Sequence, residues 1–559
     1  MAPNGSSPQN QLSSETAPLL GGPSPEHRGD VEQQASRSDA SKHQGLPEVR
    51  KRMKYIFPAI AIGVFLSAAD QTFVVTTYGI IGTDLHALSS TSWIATGYFL
   101  TLSAFQPLYG KLSDIFGRKQ CLLSAYLIFG IGCIGCGLAR TIGELIAARA
   151  FAGIGGGGMS VCTSVLMSDI LGLRERGAWQ GYINLIYAVG AAAGAPLGGL
   201  LADSIGWRWA FLVQGPMCAL ALIAVALVLH LPEQDQSHWK EKVKKIDFLG
   251  AAILIVAVFG LLVGLDRGSN VSWSNPVTVA GLAMTPLFVV FVFVEKYVAS
   301  NPFAPGHIIL NKTLFACYLC NFFSFGGWLA AQFFLPLYWQ VIGDYDASEA
   351  GLLLVPSVIT SVLGSLFGGF YMKRTAKYYW ITISAFTGLT VGLSLILIFA
   401  GALAQSIPVM VVGIAICGFG QGLGVTTTLI GLIANAAHAD QAVATACSYL
   451  FRSLGSVFGI SVCATAFNQT LRKSLQDALQ GDDNAAEIAE RVRAGLAYYR
   501  SLDPELKIIV RECYGKATRM ALGVGIGLAA SSALLAWFIK EKSLEDNKAT
   551  EEETDGVEE

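Results

Sequence analysis

The sequence predicts an all-α polytopic membrane protein with fourteen transmembrane helices, and three observations predict it. First, mean hydropathy over 559 residues is +0.50, with 53% hydrophobic and only 14% charged residues; a soluble chain carries about a quarter charged residues. Second, the apolar residues arrive in blocks of about 20 or more, the length that crosses roughly 30 Å of hydrocarbon. Third, Lys and Arg gather in alternate connections between those blocks. The formal net charge of −2, with no basic domain, argues against a nucleic-acid partner.

From the start of the chain, residues 1–49 are rich in Ser, Gln, Pro and Gly and have no apolar period, so they read as a disordered cytosolic tail. No apolar core follows Met1, and no cleavable signal peptide is expected. Glu15, Leu19 and Leu20 fit the acidic dileucine pattern Glu-x-x-x-Leu-Leu. Sorting adaptors read such peptides as addresses for lysosome-like or vacuolar membranes. The competing reading is chance in a low-complexity tail.

Apolar runs between charged or Pro/Gly/Asn punctuation place spans at 55–81, 92–110, 120–139, 142–167, 178–202, 208–231, 247–266, 277–297, 314–342, 350–372, 380–402, 407–434, 441–467 and 517–539. With the tail in the cytosol, the cytosolic connections hold twenty Lys and Arg residues, from Arg50–Lys54 and Lys111–Lys119 through Lys240–Lys245 and Lys373–Lys377 to Lys540 and Lys542. The opposite short connections hold three: Arg140, Arg208 and Arg267. That bias fixes the expected orientation, and an even helix count puts both termini in the cytosol. The sequons at Asn270 and Asn468 then fall on the lumenal or extracellular side; Asn468 lies close to the membrane, which leaves Asn270 as the expected glycosylation site.

The spans group into a first six-helix bundle (50–232), a linker and inserted two-helix hairpin (233–312), a second six-helix bundle (313–540) and an acidic cytosolic tail (541–559). Within the second bundle, residues 468–516 read as a lumenal loop. There Ala485, Ile488, Ala489, Val492 and Leu496 recur at helical spacing, as in an interfacial amphipathic helix that either caps the bundle or gates it.

Cys133-x-x-Cys136 and Cys317-x-x-Cys320 have a metal-like spacing, but both pairs lie inside apolar runs, where cysteine is a packing residue. No metal site is expected. No nucleophile–base set or metal cluster lies outside the membrane, so no enzyme is expected either.

Ionisable groups deep in hydrocarbon are functional candidates by default. Asp70 lies near the middle of the first span, and no other carboxylate reaches comparable depth. Arg149 lies in the fourth span and Arg452 in the thirteenth. Counting about 1.5 Å per residue from each helix entry puts Asp70 and Arg149 in the same, non-cytosolic half of the bilayer. Opposite charges at one depth lower each other's burial cost. Two readings follow: a permanent salt bridge that locks the first bundle, or a site whose protonation at Asp70 is coupled to transport.

Two further patterns stand out. Gly110-Lys-Leu-Ser-Asp-Ile-Phe-Gly-Arg-Lys119 packs two glycines, Asp114 and three cations, including Arg118 and Lys119, into a short connection that must turn tightly and hold its charges in a network. The fifth span carries Gly181, Gly190, Gly194, Pro196, Gly198 and Gly199, a density of small residues that lets backbones approach and a helix bend or rock.

Gly110–Lys119 resembles motif A of the major facilitator superfamily. Arg149-Ala-Phe-Ala-Gly153 resembles its Arg-x-x-Gln-Gly motif B, and Gly181–Gly199 its antiporter motif C. Asp70-Gln-Thr resembles the first-helix Asp motif of the fourteen-helix drug:proton antiporter group, and Trp207-Arg-Trp-Ala-Phe211 a marker after helix 5 of that group. Ala152 stands in place of the motif B Gln, and Ala195 in place of the first Pro of motif C. Among fungal members, the chain looks most like vacuolar basic amino-acid transporters.

The resemblance implies roles. Gly110, Asp114, Gly117, Arg118 and Lys119 would form a cytosolic clamp stabilising the outward- or lumen-facing state. Asp70 would take a proton from the lumen and compete with a cationic substrate, and motif C would be the pivot between bundles. Polar residues inside the second bundle, Asn321, Gln332, Gln340 and Gln421, together with Arg452, are cavity candidates. The expected function is proton-coupled antiport of Lys, Arg and His from cytosol to vacuole, driven by the proton gradient without a cofactor. Its partners would be the cationic amino acid, protons, the lipid bilayer and a sorting adaptor at the tail. Drug, toxin or siderophore efflux at the plasma membrane, and a non-transporting nutrient sensor, stand as alternatives.

Overall fold

The computed structural model describes residues 47–86, 92–231, 247–270, 272–299, 306–309, 311–345, 347–437, 440–479, 503–542 and 544. Apart from one isolated bridge between Ala400 and Gln405, their regular structure is helical, as hydrocarbon requires of a backbone that must satisfy its own hydrogen bonds. The long helices are α1 (Met53–Asp84), α2 (Ser92–Phe116), α3 (Arg118–Leu138), α4 (Ile142–Ile170), α5 (Leu173–Ser204), α6 (Trp207–Val228) and α7 (Phe248–Asn270). They continue with α8 (Pro276–Tyr297), α9 (Lys312–Ile342), α10 (Glu349–Thr375), α11 (Tyr379–Phe399), α12 (Ile407–Asn435), α13 (Gln441–Ala478) and α14 (Pro504–Ala536). Thirteen are long and apolar enough to cross a membrane. The fourteenth, α2, has 25 residues but carries Gln106, Lys111 and Asp114, and it packs along α4.

In the first bundle α1 packs on α5 and α6, while α2 and α3 pack on α4. In the second, α10 and α11 pack on α12, and α9 on α13 and α14. The bundles meet reciprocally: the fifth helix of one (α5) lies on the second of the other (α10), and the second of the first (α2) on the fifth of the other (α13). The inserted α7 lies against both α2 and α13, and α8 packs on α7. α8 leaves Val289 and Phe293 more than half exposed, an apolar surface suited to lipid.

Backbone contacts explain several glycines. A Cβ built on Gly459 of α13 would stand 2.2 Å from Gly326 Cα of α9, so these helices touch without side chains between them.

The expected loop 468–516 is shorter in the structure. α13 runs on to Ala478, and α14 begins at Pro504 rather than 517. Hydropathy falls at residue 467, yet Phe467, Leu471, Leu475 and Leu479 keep a four-residue spacing. They pack with Val510, Cys513 and Tyr514 of α14 and with Phe334 and Val341 of α9. An amphipathic extension of a membrane helix loses mean hydropathy while keeping its period. The helix expected over 485–496, and Glu15, Leu19 and Leu20, lie outside the described residues. Asn270 closes α7; Asn468 Nδ2 donates to the Ser269 carbonyl at 3.3 Å and ties α13 to the insert.

Candidate functional site

Asp70 and Arg149 face each other. Arg149 Nη1 donates to both carboxylate oxygens of Asp70, at 2.8 and 2.7 Å, and the two side chains are 0% and 1% exposed. Gln214 Nε2, from α6, donates to Asp70 Oδ1 at 3.3 Å and to the Ala210 carbonyl at 3.0 Å. Its own Oε1 lies 3.7 Å from the Cys133 thiol of α3. The Arg149 guanidinium stacks 4.3 Å above the Tyr98 ring of α2, with Phe211 at 5.6 Å on α6. Five helices therefore enclose the pair, and the carboxylate points into the first bundle rather than toward the gap between bundles. Asp70 is fully buried in this state, and its hydrogen-bond partners Arg149 and Gln214 both belong to the first bundle. Charge, hydrogen bonds and ring faces together make burial tolerable, and removing one partner alone would leave an uncompensated charge.

Motif A also assembles. Arg118 Nη1 donates to Asp114 Oδ1 and, at 3.0 Å, to Ser113 Oγ, while Arg118 Nε donates to Asp169 Oδ2 of α4 at 2.7 Å. Lys119 Nζ donates to the Ala226 carbonyl of α6 at 2.8 Å. Gly117 holds φ +94°, a conformation L side chains rarely adopt. At Gly110 a Cβ would stand 2.6 Å from Ala446 Cβ of α13, so this glycine admits the second bundle.

The end of the molecule that carries motif A, the basic end, is where the bundles are joined. Arg174 donates to the carbonyls of Lys373 and Arg374 at 2.5 and 3.3 Å. Buried Arg176 donates to Gln441 Oε1 at 3.2 Å, and Ser168 Oγ donates to the same oxygen at 3.4 Å. Glu175 bridges Arg50 at 2.6 Å and Lys373 at 3.8 Å. Deeper, Asn184 donates to Ser365 Oγ at 2.7 Å, and Ser453 to Gln106 Oε1 at 3.2 Å.

Motif C divides between two neighbours. Gly181 packs on Leu366 of α10, whereas Gly190 and Gly194 pack on Phe65 and Ala69 of α1. Along α5 the contact thus passes from the second bundle to α1 with distance from the basic end. Pro196 is exposed and Gly198 buried, and a Cβ on Gly199 would meet nothing within 4 Å. The small-residue surface therefore serves packing at four of the six expected positions at most.

Three of the second-bundle candidates, Asn321, Gln332 and Gln340, are each taken up by separate partners. Asn321 is a knot within that bundle: its Nδ2 donates to the Cys317 carbonyl and Ser448 Oγ at 3.0 and 3.3 Å, and its Oδ1 accepts from Thr428 at 3.3 Å. Gln332 donates to Ser357 at 2.9 Å, and Gln340 to the Pro336 carbonyl at 3.2 Å. Gln421 is 2% exposed with neither side-chain atom hydrogen-bonded, and Arg452 is 7% exposed with Nε unpartnered.

Sequence reasoning missed Gln214, Asp169 and the Arg176–Gln441 contact. A lone amide inside the sixth apolar run was the available signal for Gln214, and an acid at the basic end of α4 the signal for Asp169. It also missed a clasp at the other end, where Asp84 Oδ2 accepts from Arg208 at 2.8 Å and from Trp207 Nε1 at 3.1 Å. Those bonds, Arg208's first, hold the Asp84 carboxyl below its ordinary value.

The Major Facilitator Superfamily profile matches residues 60–460. The chain is 39% identical to the vacuolar membrane amino acid uptake transporter fnx2 of Schizosaccharomyces pombe, across 81% of this chain and 78% of the relative. It is 37% identical to the multidrug resistance protein fnx1 of the same yeast, across 83% and 88%. It is 31% identical to vacuolar basic amino acid transporter 2 of Saccharomyces cerevisiae, across 81% and 98%. The proton:xylose symporter XylE superposes with a TM-score of 0.58 at 15% identity, covering 90% of this chain and 99% of the symporter, a likeness of fold alone. The profile match and these identities show that the chain belongs to the Major Facilitator Superfamily, whose members are transporters rather than enzymes.

Proposed function

We propose that this chain moves amino acids, Lys, Arg and His foremost, from the cytosol into a vacuole in exchange for protons. The observation that carries the reading is a sealed Asp70–Arg149 pair in a bundle joined to its partner at the basic end. The names and identities of fnx2 and the basic amino acid transporter support the cargo and the membrane. The basic end faces the cytosol, so the described state is closed to the cytosol, with both termini on that side.

Asp70 then acts through Arg149 rather than on cargo. A proton on the carboxylate removes the charge that compensates the guanidinium. Arg149 is left with the Ile94 carbonyl at 3.4 Å and two ring faces. A buried cation so exposed electrostatically favours a different packing of α1 and α4. α1 also carries the ridge on which Gly190 and Gly194 of α5 sit, so a shift there reaches the helix that contacts the second bundle. Motif A, with Asp169, holds α2, α3 and α4 together at the cytosolic end in the lumen-facing state.

The test is uptake of labelled Lys, Arg and His by isolated vacuolar vesicles. ATP-dependent uptake abolished by an uncoupler supports the reading, and uncoupler-insensitive uptake removes the proton. The similarity to fnx1 favours a second reading, drug efflux. Under that reading vesicles accumulate cationic drugs and ignore amino acids.

A further inference from the structure

Arg149 and Arg452, two of the buried arginines in the spans, are treated differently by the fold. Arg149 has its carboxylate. Arg452, on α13, has no acid within salt-bridge distance among the described residues. Its Nη2 donates to the Val425 carbonyl of α12 at 3.4 Å, and Nε has no partner. Its cationic carbon stands 5.0 Å from the Tyr449 ring and 5.7 Å from the Phe325 ring. One helical turn from Val425, Gln421 is buried with both its amide nitrogen and its amide oxygen unpartnered. Trp328, whose ring lies 6.1 Å from Phe325, also has an unpartnered indole N–H. Buried polar groups are hydrogen-bonded as a rule, and Arg452, Gln421 and Trp328 each leave a donor that an acceptor could satisfy.

The position is central. Tyr449 packs against a cluster that joins first-bundle residues with Ala442 and Ala446 of α13, and Ser453, next to Arg452, bonds to Gln106 of α2. The open donors therefore sit on the second-bundle wall where the two bundles meet. A guanidinium with N–H donors around it matches a carboxylate, whose oxygens accept them in a plane. It repels an ammonium.

We infer that Arg452 and Gln421, with the Trp328 indole, form the subsite that takes the α-carboxylate of an amino-acid cargo. This rests on the amino-acid reading above and assigns that cargo an anchor on the second bundle, away from Asp70. The cationic side chain of Lys or Arg would point away from Arg452. Selection by this subsite is for the amino-acid backbone, not for the side-chain charge.

The experiment measures ligand-dependent thermal stabilisation of the purified full chain by lysine, lysinamide, cadaverine and acetate. Lysine is expected to act at about tenfold or more lower concentration than lysinamide or cadaverine, the scale of a lost charge-assisted contact. Arg452→Gln should erase that preference, Arg452→Lys should keep part of it, and Gln421→Leu should weaken it. The ligand-free melting temperature of Arg452→Gln should equal or exceed wild type, because an uncompensated buried charge is being removed; a clear fall would mean a structural arginine and would overturn the inference. Equal action of lysine and cadaverine would overturn the carboxylate subsite and leave amino-acid transport standing. Stabilisation by acetate through Arg452, with no response to lysine, would keep the subsite and defeat the amino-acid reading. No response to any carboxylate would overturn both.

Discussion

Gly177 of α5 and Gly369 of α10 meet backbone to backbone: a Cβ built on Gly369 would stand 2.4 Å from the Gly177 carbonyl oxygen. This contact lies among the Arg174, Arg176 and Glu175 bonds and sets how tightly the bundles close at the basic end. Gly369→Leu should wedge them apart. Spin labels at exposed Arg50 and Arg374 should then report a longer distance by electron–electron resonance than in the unsubstituted protein. An unchanged distribution would mean that the glycine contact does not limit closure.

The glycines of motif A make a contrasting pair. Gly117→Ala meets no atom within 4 Å, so its cost is backbone strain at φ +94°, about 1–3 kcal/mol. Gly110→Leu has normal helical backbone but collides with Ala446 and the Ala442 carbonyl of the second bundle. Thermal unfolding should show Gly117→Ala as less stable, with the label distance unchanged. Gly110→Leu should change the label distance, and a reversed pattern would refute this division.

Asp70 and Arg149 should behave as one unit. Asp70→Asn or Arg149→Gln alone strands a buried charge or breaks its network, at about 3–5 kcal/mol. The double variant Asp70→Asn/Arg149→Gln removes both and should recover most of that loss. Additive melting-temperature losses would show that the pair is not coupled.

At the other end, the Asp84 clasp gives a pH prediction. Its carboxyl is lowered from 3.8 by the Arg208 and Trp207 bonds. A depressed acid stabilises the fold above its unfolded value and loses that contribution as pH falls through the folded one. Asp84→Asn should therefore lower the melting temperature equally at pH 7 and pH 5.5, and the difference should shrink only below about pH 3.8. A difference already gone at pH 5.5 would contradict the clasp.

The fourteen helices were legible because hydrocarbon demands long apolar runs, and that demand is written in composition. Depth along a helix is also written in the sequence, which is why Asp70 and Arg149 could be paired before any contact was known. Which way a side chain points is not. Asn321 looked like a cavity residue and ties α9 to α12 and α13, while Asp70 meets Gln214 of α6 within the first bundle. Partners on distant spans, such as Asp169 for Arg118 and Gln441 for Arg176, depend on bundle packing that no single helix period encodes. The extension of α13 to Ala478 was missed because averaging hydropathy hides a four-residue stripe.

In the proposed mechanism Asp70 passes its charge state to Arg149 in step with cargo, and reconstituted vesicles with a trapped pH dye test this most directly. An imposed lysine gradient should drive protons the opposite way through the unsubstituted protein. Asp70→Asn should abolish that proton flux while lysine-for-lysine exchange continues. Undiminished lysine-driven proton movement through Asp70→Asn would contradict the account.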